Sequence, residues 1–232
     1  MTWFSAVLFD NGDTLFHKAD RAPAIKRLAA GLGHEIDLPQ AHEAWLAVKA
    51  HKRALTDEAL VYGRNRSSDG HRRYYSECYA PLDELVPGLA KSFYGRFKTN
   101  PESMIPYPDT AAALAALHDA GVGVGIVSNT GWNIREGYVR AGVDACIDSY
   151  VLSFEHGIAK PEPEIFERAC AELEVEPART LMVGNNGVAD SGAVAAGCTC
   201  LVLPKAPPGQ SRGLGAVGRL LGIEQPAALG AR

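Results

Sequence analysis

The sequence has few of the features that mark secreted, membrane or nucleic-acid-binding proteins. Its five cysteines are odd in number and scattered over 232 residues, so no disulfide framework is expected. No apolar run approaches the roughly 18 residues of a membrane-spanning helix, and residues 1–5 lack the basic region and cleavage site of a signal peptide. The 23 Lys and Arg are outnumbered by 27 Asp and Glu, which argues against binding to a phosphate backbone. We therefore expect a cytoplasmic monomer or homodimer with no membrane or nucleic-acid partner.

Apolar residues, by contrast, are plentiful, since they make up 47% of the chain and suffice for a sizeable core. From about residue 108 onward, segments with helical spacing alternate with short β-rich runs. Together with an opening strand, this repeated order predicts an α/β fold, a doubly wound, Rossmann-like parallel sheet with helices on both faces. The predicted helices span residues 109–120, 133–141, 162–173, 190–196 and 214–221, and the predicted strands span 6–9, 121–127, 149–152, 180–183 and 199–203.

The stretch from residue 16 to residue 104 breaks this alternation. Its apolar residues follow helical spacing and leave no convincing strand between them. We therefore predict an all-helical cap domain at 16–104, inserted into a catalytic core made of 1–15 and 105–232. The four predicted cap helices span residues 22–32, 41–55, 71–79 and 89–98.

Four short polar segments, three of which follow or end an apolar run, supply the candidate chemistry. They contain Asp10, Ser128, Lys160 and the pair Asn185 and Asp190. Because the carboxyl ends of parallel strands share one edge of a sheet, we expect these segments to meet there. They would offer a carboxylate nucleophile, a hydroxyl donor, a lysine cation and a polar cluster able to hold a metal. That set suits transfer of a phosphoryl group, or of another electrophilic centre, through an aspartyl ester.

Each segment taken alone has a plainer interpretation. Asp10 suits an Asx turn that closes a strand, and Asn129 or Thr130 would cap a following helix. The residues around Asn185 read as a turn, and Lys-Pro pairs such as the one at Lys160 are common in loops. The order of the four segments and their positions at strand ends favour the joint interpretation.

In these motifs the chain resembles the haloacid dehalogenase superfamily, and within it the helical-cap (subfamily I) phosphatase-like branch. The resemblance rests on the first motif with Asp10, on Ser128, on Lys160 followed by Pro-Glu-Pro-Glu, and on Gly184 to Asp190. It covers nearly the whole chain and implies an α/β core with a helical cap. It implies a hydrolase less specifically, because the superfamily includes phosphatases, phosphonatases, mutases and dehalogenases.

The resemblance also implies roles for the motif residues. Asp10 would accept the phosphoryl group, Lys160 would neutralise it, and Ser128 with nearby backbone N–H groups would hold phosphoryl oxygens. The implied function is a Mg²⁺-dependent phosphoric monoester hydrolase that acts on a small, anionic, phosphorylated metabolite through an aspartyl phosphate. The implied substrate-binding residues are Asn11, Asn129 and Thr130, and the implied metal ligands are Asp10, Gly12, Asn185 and Asp190.

Two positions depart from the pattern of the family. Gly12 occupies the position where its phosphatases usually have a second aspartate that protonates the leaving group, a contribution of roughly 10²–10⁴-fold. Asp13, one residue later, is either a substitute acid or a turn former, and a cap residue could also supply the proton. Asn185 occupies the position of a metal-binding aspartate, and an amide oxygen there removes one negative charge from a site for a hard cation. We therefore expect a weakened Mg²⁺ site.

Both departures keep two other functions open. A metal-independent 2-haloacid dehalogenase would need neither the acid at Gly12 nor the metal, because halide leaves without a proton. A non-catalytic binding protein of the same fold is the other alternative. The presence of Asp10, Ser128 and Lys160 together argues against that third hypothesis.

The segment from residue 63 to 75 is the one strongly basic stretch that also contains aromatic residues. Arg64 and Arg66 are its candidates for binding an anionic substrate, because guanidinium groups pair well with carboxylate or phosphate. A solvated loop between helices is the alternative interpretation. Lys52 belongs to a second basic patch, which reads as an exposed helix face, whereas Trp132 follows the Ser128 motif closely enough to contact a substrate.

Overall fold

A five-stranded parallel sheet forms the centre of the protein in the computed structural model, which describes residues 3–204 and 206–223. The strand order is β5-β4-β1-β6-β7, so the first strand lies in the middle. All four of its residues are buried, as their apolar run predicts. The strands of the described chain are β1 (Ala6–Phe9), β2 (Phe16–Lys18), β3 (Met104–Pro106), β4 (Gly123–Ser128), β5 (Ser149–Leu152), β6 (Thr180–Gly184) and β7 (Thr199–Val202).

Ten α-helices in the described residues divide between the cap and the core. The first five lie between β2 and β3, and the others belong to the core, which confirms the predicted α/β fold with an inserted helical cap. No helix of the described residues is long and apolar enough to cross a membrane. The helices are α1 (Arg21–Ala30), α2 (Leu38–Ala54), α3 (Glu58–Gly63), α4 (Ser68–Leu85), α5 (Leu89–Phe93), α6 (Thr110–Asp119), α7 (Arg135–Arg140), α8 (Ser153–His156), α9 (Pro163–Glu172) and α10 (Gly215–Leu220).

The cap helices enclose an apolar cluster of their own, separate from the two clusters on the faces of the sheet. Leu82 of α4 and Phe93 of α5 are fully buried within it. Helix α4 is twice as long as its predicted segment, and α5 continues into a π-helical turn at Tyr94–Lys98. Helix α3 was not predicted, because six residues are too few for a periodic signal.

Two short strands that the sequence analysis did not predict lie at the two ends of the cap segment. Strands β2 and β3 pair antiparallel, with His17 opposite Ile105, and so bring the two connections between cap and core together. Three residues are too few to show the alternation that identifies a strand, and their pairing partner lies nearly ninety residues away. The exact domain boundaries at 15/16 and 104/105 stay a prediction.

The predicted helix 190–196 is instead a short 3₁₀ segment, Asp190–Val194. A Cβ at Gly192 would lie 2.2 Å from the carbonyl oxygen of Pro161, so the backbone here packs directly against the loop that carries Lys160. This close approach fixes the segment by tertiary contact, which helical spacing in the sequence does not report.

Candidate active site

Three charged side chains meet at the carboxyl edge of the sheet. The Lys160 Nζ donates to Asp10 Oδ1 and to Asp190 Oδ1, at 2.6 Å each. The side chains of Lys160 and Asp190 are only 2% and 1% exposed, whereas that of Asp10 is 13% exposed. Asp10 is therefore the carboxylate of the three that opens towards a ligand.

The protonation of this cluster follows from burial and mutual charge. Burial raises the pKa of Asp10, with Asp190 adding to the effect and Lys160 opposing it. Burial by itself would lower the pKa of Lys160, but the two carboxylates outweigh it and raise that pKa above its ordinary value. Lys160 is consequently a cation at neutral pH, held between two acids.

Asp190 is fixed by the turn that follows β6. Its Oδ2 accepts hydrogen bonds from the backbone N–H groups of Asn185 and Asn186, at 3.0 and 2.8 Å. A Cβ at Gly184 would lie 2.1 Å from that same Oδ2, so only glycine allows the approach. Both oxygens of Asp190, which the sequence predicts as a metal ligand, are thus hydrogen-bonded within the protein, one to Lys160 and the other to the turn.

The loop after β1 holds Asp10 from its other side. Thr14 Oγ1 donates to Asp10 Oδ2 at 3.2 Å, a contact that the sequence reading missed although Thr14 belongs to the first motif. Asn11, predicted to bind substrate, accepts a hydrogen bond on its Oδ1 from the Tyr138 hydroxyl at 3.0 Å. Asp13 adopts a left-handed conformation (φ 57°) and is exposed, as its interpretation as a turn former requires.

The segment at the end of β4 lines the cavity and also holds the backbone of Lys160 in place. Ser128 is buried at the end of the strand and lines the cavity. The Asn129 amide makes two 2.8 Å hydrogen bonds with the backbone N–H and C=O of Lys160, so the side chain of this predicted substrate residue positions the lysine. Thr130, predicted in the same role, is bonded to Ser153 through its backbone and to Trp132 through its hydroxyl.

Oxygen donors for a hard cation are present, although in reduced number. The Gly12 carbonyl accepts a 3.1 Å hydrogen bond from the Asn185 side-chain amide, so these two predicted ligands lie side by side. With the amide turned over, Asn185 would offer its oxygen next to the Gly12 carbonyl, in the cavity that Asp10 also lines. Such donors suit Mg²⁺, but no group of three His, Cys, Asp or Glu side chains in the described residues forms a metal site. The residues therefore fit a Mg²⁺ site with one charge fewer than an aspartate at position 185 would give.

A cavity of about 910 Å³ opens above these residues and is lined by both core and cap. Arg64 and Trp132 line it, as the sequence predicts. Arg66 does not, because its guanidinium pairs with Glu162 and with the Gly157 carbonyl of the core. The structure therefore places Arg66 in a contact between cap and core, away from the predicted substrate site.

Four further basic residues that the sequence analysis did not assign to the cavity also line it: Lys18, Arg21, Lys52 and Lys98. Lys52 was interpreted as part of an exposed helix face, and it is exposed, but towards this cavity. The other three had no motif around them. The one available signal was their charge, and two of the four stand beside further basic residues, Lys52 next to Arg53 and Lys98 near Arg96.

Comparison with known proteins supports the fold and the class of chemistry. The sequence pattern of the haloacid dehalogenase-like hydrolases matches residues 4–197. The chain is 28% identical to glyceraldehyde 3-phosphate phosphatase from Methanothermobacter thermautotrophicus, over 85% of this chain and 84% of that protein. It is also 28% identical to (S)-2-haloacid dehalogenase 4A from Burkholderia cepacia, over 63% of this chain and 58% of that protein.

Solved structures share the architecture at lower sequence identity. A dehalogenase crystallised as an intermediate complex superposes with a TM-score of 0.66 at 22% identity, covering 97% of this chain and 100% of that one. At this identity the similarity establishes the fold and leaves the reaction open.

Proposed function

The chain belongs to the haloacid dehalogenase-like hydrolase family, and we propose that it is a phosphoric monoester hydrolase that acts on a small phosphorylated metabolite through an aspartyl phosphate on Asp10. The observation that carries the proposal is the pairing of the partly exposed Asp10 carboxylate with the buried Lys160 ammonium at 2.6 Å. Similarity to a phosphatase of a three-carbon sugar phosphate supports the same reaction.

The residues divide the first half-reaction between them. An oxygen of Asp10 attacks phosphorus, forms the P–O bond of the aspartyl phosphate, and displaces the alcohol of the substrate. Lys160 holds the carboxylate in its attacking position and offsets negative charge on the transferring group. Ser128, at the end of β4, donates from its hydroxyl to a phosphoryl oxygen. Mg²⁺, when held by Asp10, Gly12 and Asn185, would add positive charge at the phosphoryl oxygens.

Water completes the cycle by hydrolysing the acyl phosphate, which restores the Asp10 carboxylate and releases inorganic phosphate. The departing alkoxide of the first step needs a proton, and Gly12 has no side chain to give one. Asp13 is the carboxyl group of the cavity lining that is not engaged with Lys160. We therefore assign slow turnover to alkyl phosphates and faster turnover to aryl phosphates, whose leaving groups need less protonation.

The test is to find the adduct and identify its position. Wild-type enzyme quenched during turnover of an aryl phosphate with Mg²⁺ should gain the mass of one phosphoryl group on the peptide that contains Asp10. Asp10→Asn should show no adduct and no phosphate release, whereas Asp57→Asn, a change of the same kind on a cap-helix N-cap remote from the cavity lining, should show both. An adduct on another residue, or turnover by Asp10→Asn, would overturn the proposal.

The second candidate function is metal-independent dehalogenation of a 2-haloacid. The observation in its favour is that Gly12 offers no acid and that the Asn185 amide already occupies the Gly12 carbonyl. Chloride release from a 2-haloacid that persists in chelator, without phosphate release from any ester, would establish this function. Silence in both assays, with ligand binding intact in Asp10→Asn, would indicate a binding protein.

A further inference from the structure

We propose that the substrate carries a second anionic group, a carboxylate or a second phosphate, which is bound by a cluster of cations on the cap side of the cavity. This cap cluster consists of Lys18, Arg21, Lys52, Arg64 and Lys98. The inference rests on the proposed function, because it assumes that the phosphoryl group of the substrate lies against Asp10. It narrows the substrate class to phosphorylated acids and bisphosphates.

The members of the cap cluster come from separate parts of the fold. Lys18 ends β2, Arg21 begins α1, Lys52 lies in α2, Arg64 follows α3, and Lys98 ends the π-helical turn. Five elements thus bring basic side chains to one cavity in a chain whose net charge is −4. Electrostatic focusing of this kind favours an anionic ligand.

No carboxylate neutralises the cap cluster within the described residues. None of its five members forms an ion pair there, although seven other ion pairs are present in the same part of the chain. The three carboxylates of the cavity lining are Asp10, Asp13 and Asp190, and all of them belong to the core side. The cap side is therefore left with positive charge that a ligand can neutralise.

Aromatic rings hold several of these cations in place. The Lys98 Nζ lies 4.4 Å from the ring centroid of Tyr75, and the Lys18 Nζ lies 5.0 Å from that of Trp132. The Arg64 guanidinium lies 5.3 Å from the ring of Tyr74. Cation–π contacts compensate part of the repulsion without removing the charge, so the groups stay available to a ligand.

Lys18 shows how crowded the cluster is. Its Nζ donates to the Lys98 carbonyl oxygen at 3.0 Å and to Ser103 Oγ at 2.7 Å. Burial, followed by the charges of Lys98 and Arg21, lowers the pKa of Lys18 to about 6. An anion bound beside it would favour the ammonium form, so binding should be accompanied by uptake of a proton near neutral pH.

The size of the cavity also fits two anionic groups. Its volume of about 910 Å³ lies at the upper end of the range of roughly 300–1,000 Å³ that is usual for small-molecule sites. One phosphoryl group at Asp10 would leave most of this space to the remainder of the substrate. On the cap side that space is lined mostly by basic side chains, together with Phe16, His17, Asn65 and Met104.

The experiment separates binding of the second anion from chemistry at Asp10. Dissociation constants of Asp10→Asn are measured by calorimetry for glycerol 3-phosphate, 3-phosphoglycerate and glycerol 1,3-bisphosphate, which share a three-carbon frame and differ in the second anion. The two doubly anionic esters should bind roughly 10–100-fold more tightly than glycerol 3-phosphate at low salt, and the advantage should shrink as ionic strength rises. Turnover of the same esters by wild-type enzyme is measured in parallel.

Matched variants show which residues cause the tighter binding of the doubly anionic esters. Lys52→Gln and Arg64→Gln, made in the Asp10→Asn background, should each reduce the affinity ratio between doubly and singly anionic esters by about three- to tenfold. Lys49→Gln removes an exposed lysine from the same helix as Lys52 but outside the cavity lining, so the ratio should stay as it is in Asp10→Asn alone.

The possible results distinguish the two proposals. Equal affinity for the three esters, or an equal change in the ratio for Lys49→Gln and Lys52→Gln, would overturn the second anion site and leave the phosphatase function standing. A large ratio that depends on Lys52 and Arg64, without any turnover, would support the anion site and overturn the phosphatase. Turnover with the expected ratio would support both.

Discussion

The two ends of the cavity treat charge in opposite ways. At the core end, one lysine lies between two aspartates and all three are hydrogen-bonded within the buried cluster. At the cap end, four cations and Lys18, whose pKa is about 6, face the same space without a carboxylate partner in the described residues. The acids of the core end already have a cationic partner before a ligand arrives, whereas the cap end obtains its opposite charge from the ligand.

This contrast shows how catalysis and substrate recognition are divided between the core end and the cap end of the cavity. A reacting group needs fixed, preorganised charges, and burial of a compensated cluster supplies them. A recognition surface needs charges that gain energy only when the correct ligand binds. We therefore expect changes at the core end to affect both stability and chemistry, and changes at the cap end to affect mainly the choice of substrate.

The largest effect should come from Lys160→Met. This variant leaves Asp10 and Asp190 without a cationic partner, so that the core end, like the cap end, has unpaired charge. The free energy of unfolding at pH 7.5 should fall by about 3–5 kcal/mol, because a buried charge loses its partner, and kcat/KM should fall by at least about 10³-fold. Without the lysine, no cation opposes the effect of burial, so the folded-state pKa of Asp10 rises further above its unfolded value. The folded state then binds more protons, so the variant should regain stability as pH falls.

Denaturant unfolding of Lys160→Met at pH 5 and pH 7.5 measures this effect. Lys160→Met with Asp190→Asn is the matched control, because it removes the repulsion between the carboxylates and should recover part of the stability but little of the activity. Equal stability of the single and double variants would contradict the account of a compensated cluster.

A smaller effect is expected when an acid is returned to the core end with Gly12→Asp. A Cβ at Gly12 meets no atom within 4 Å, so the substitution should be tolerated by the fold. The added carboxyl group can protonate an alkoxide, and kcat for alkyl phosphates should rise by about 10–100-fold while aryl phosphates gain much less.

Gly187→Asp is the control for Gly12→Asp, since this glycine also lines the cavity and has open space around it. Asp13→Asn, made alongside, reports whether Asp13 supplies the proton in the wild-type enzyme. Similar gains on alkyl and aryl phosphates would refute the explanation that position 12 lacks the proton donor for the leaving group.

At the cap end, Lys18 should affect how the free energy of unfolding depends on pH. Because the pKa of folded Lys18 is about 6, the unfolded chain binds more protons at that side chain between pH 6 and its ordinary pKa of about 10.4. The free energy of unfolding should therefore gain a contribution from Lys18 that increases with pH across this window. Lys18→Met should stabilise the protein most at pH 6 and progressively less as pH rises towards 10.

Unfolding curves at pH 6, 7.5 and 9 for wild type and Lys18→Met test this expectation. Lys91→Met, which removes an exposed lysine elsewhere on the cap, is the control and should show no such trend. A constant difference between wild type and Lys18→Met at the three pH values would be inconsistent with a crowded, buried Lys18.

The smallest effect should come from Arg66→Gln, at the contact between the two parts. The side chains of Arg66 and Glu162 are 19% and 34% exposed, so solvent screens their pair and its loss should lower stability by no more than about 1 kcal/mol. KM should rise a few-fold with kcat retained if the pair helps hold the cap over the core. Arg140→Gln is the comparison, because it breaks the ion pair of Arg140 with Glu102, which is more exposed than that of Arg66 with Glu162. An equal change in KM for the two variants would argue against a role of Arg66 in closure.

The sequence predicted the core end much better than the cap end. Asp10, Ser128 and Lys160 follow recognisable motifs, and the structure brings Asp10 and Lys160 together as expected. Asn129, Asn11 and Asp190 were assigned to substrate or metal, and the structure shows that their side chains also form hydrogen bonds with neighbouring residues. Their hydrogen-bonding capacity is visible in the sequence, but their partners are not.

At the cap end, the sequence showed helices and basic residues without showing which of them would converge. Arg64 and Arg66 are two residues apart and equally basic, yet one lines the cavity and the other pairs with Glu162. Strands β2 and β3 were missed for a related reason, since each becomes a strand only by pairing with the other.

The sequence alone thus determined the α/β core, the inserted helical cap and the identity of the central carboxylate and lysine. These features depend on strand and helix patterns and on local motifs, which are formed by residues close together in the sequence. Tertiary structure alone decided which cations share the cavity, which carboxylate stays partly exposed and which amides serve as supports. Those outcomes depend on distances between residues up to 150 positions apart, such as the contact of Asp10 with Lys160. Burial and charge compensation, which set their chemistry, exist only once the chain has folded.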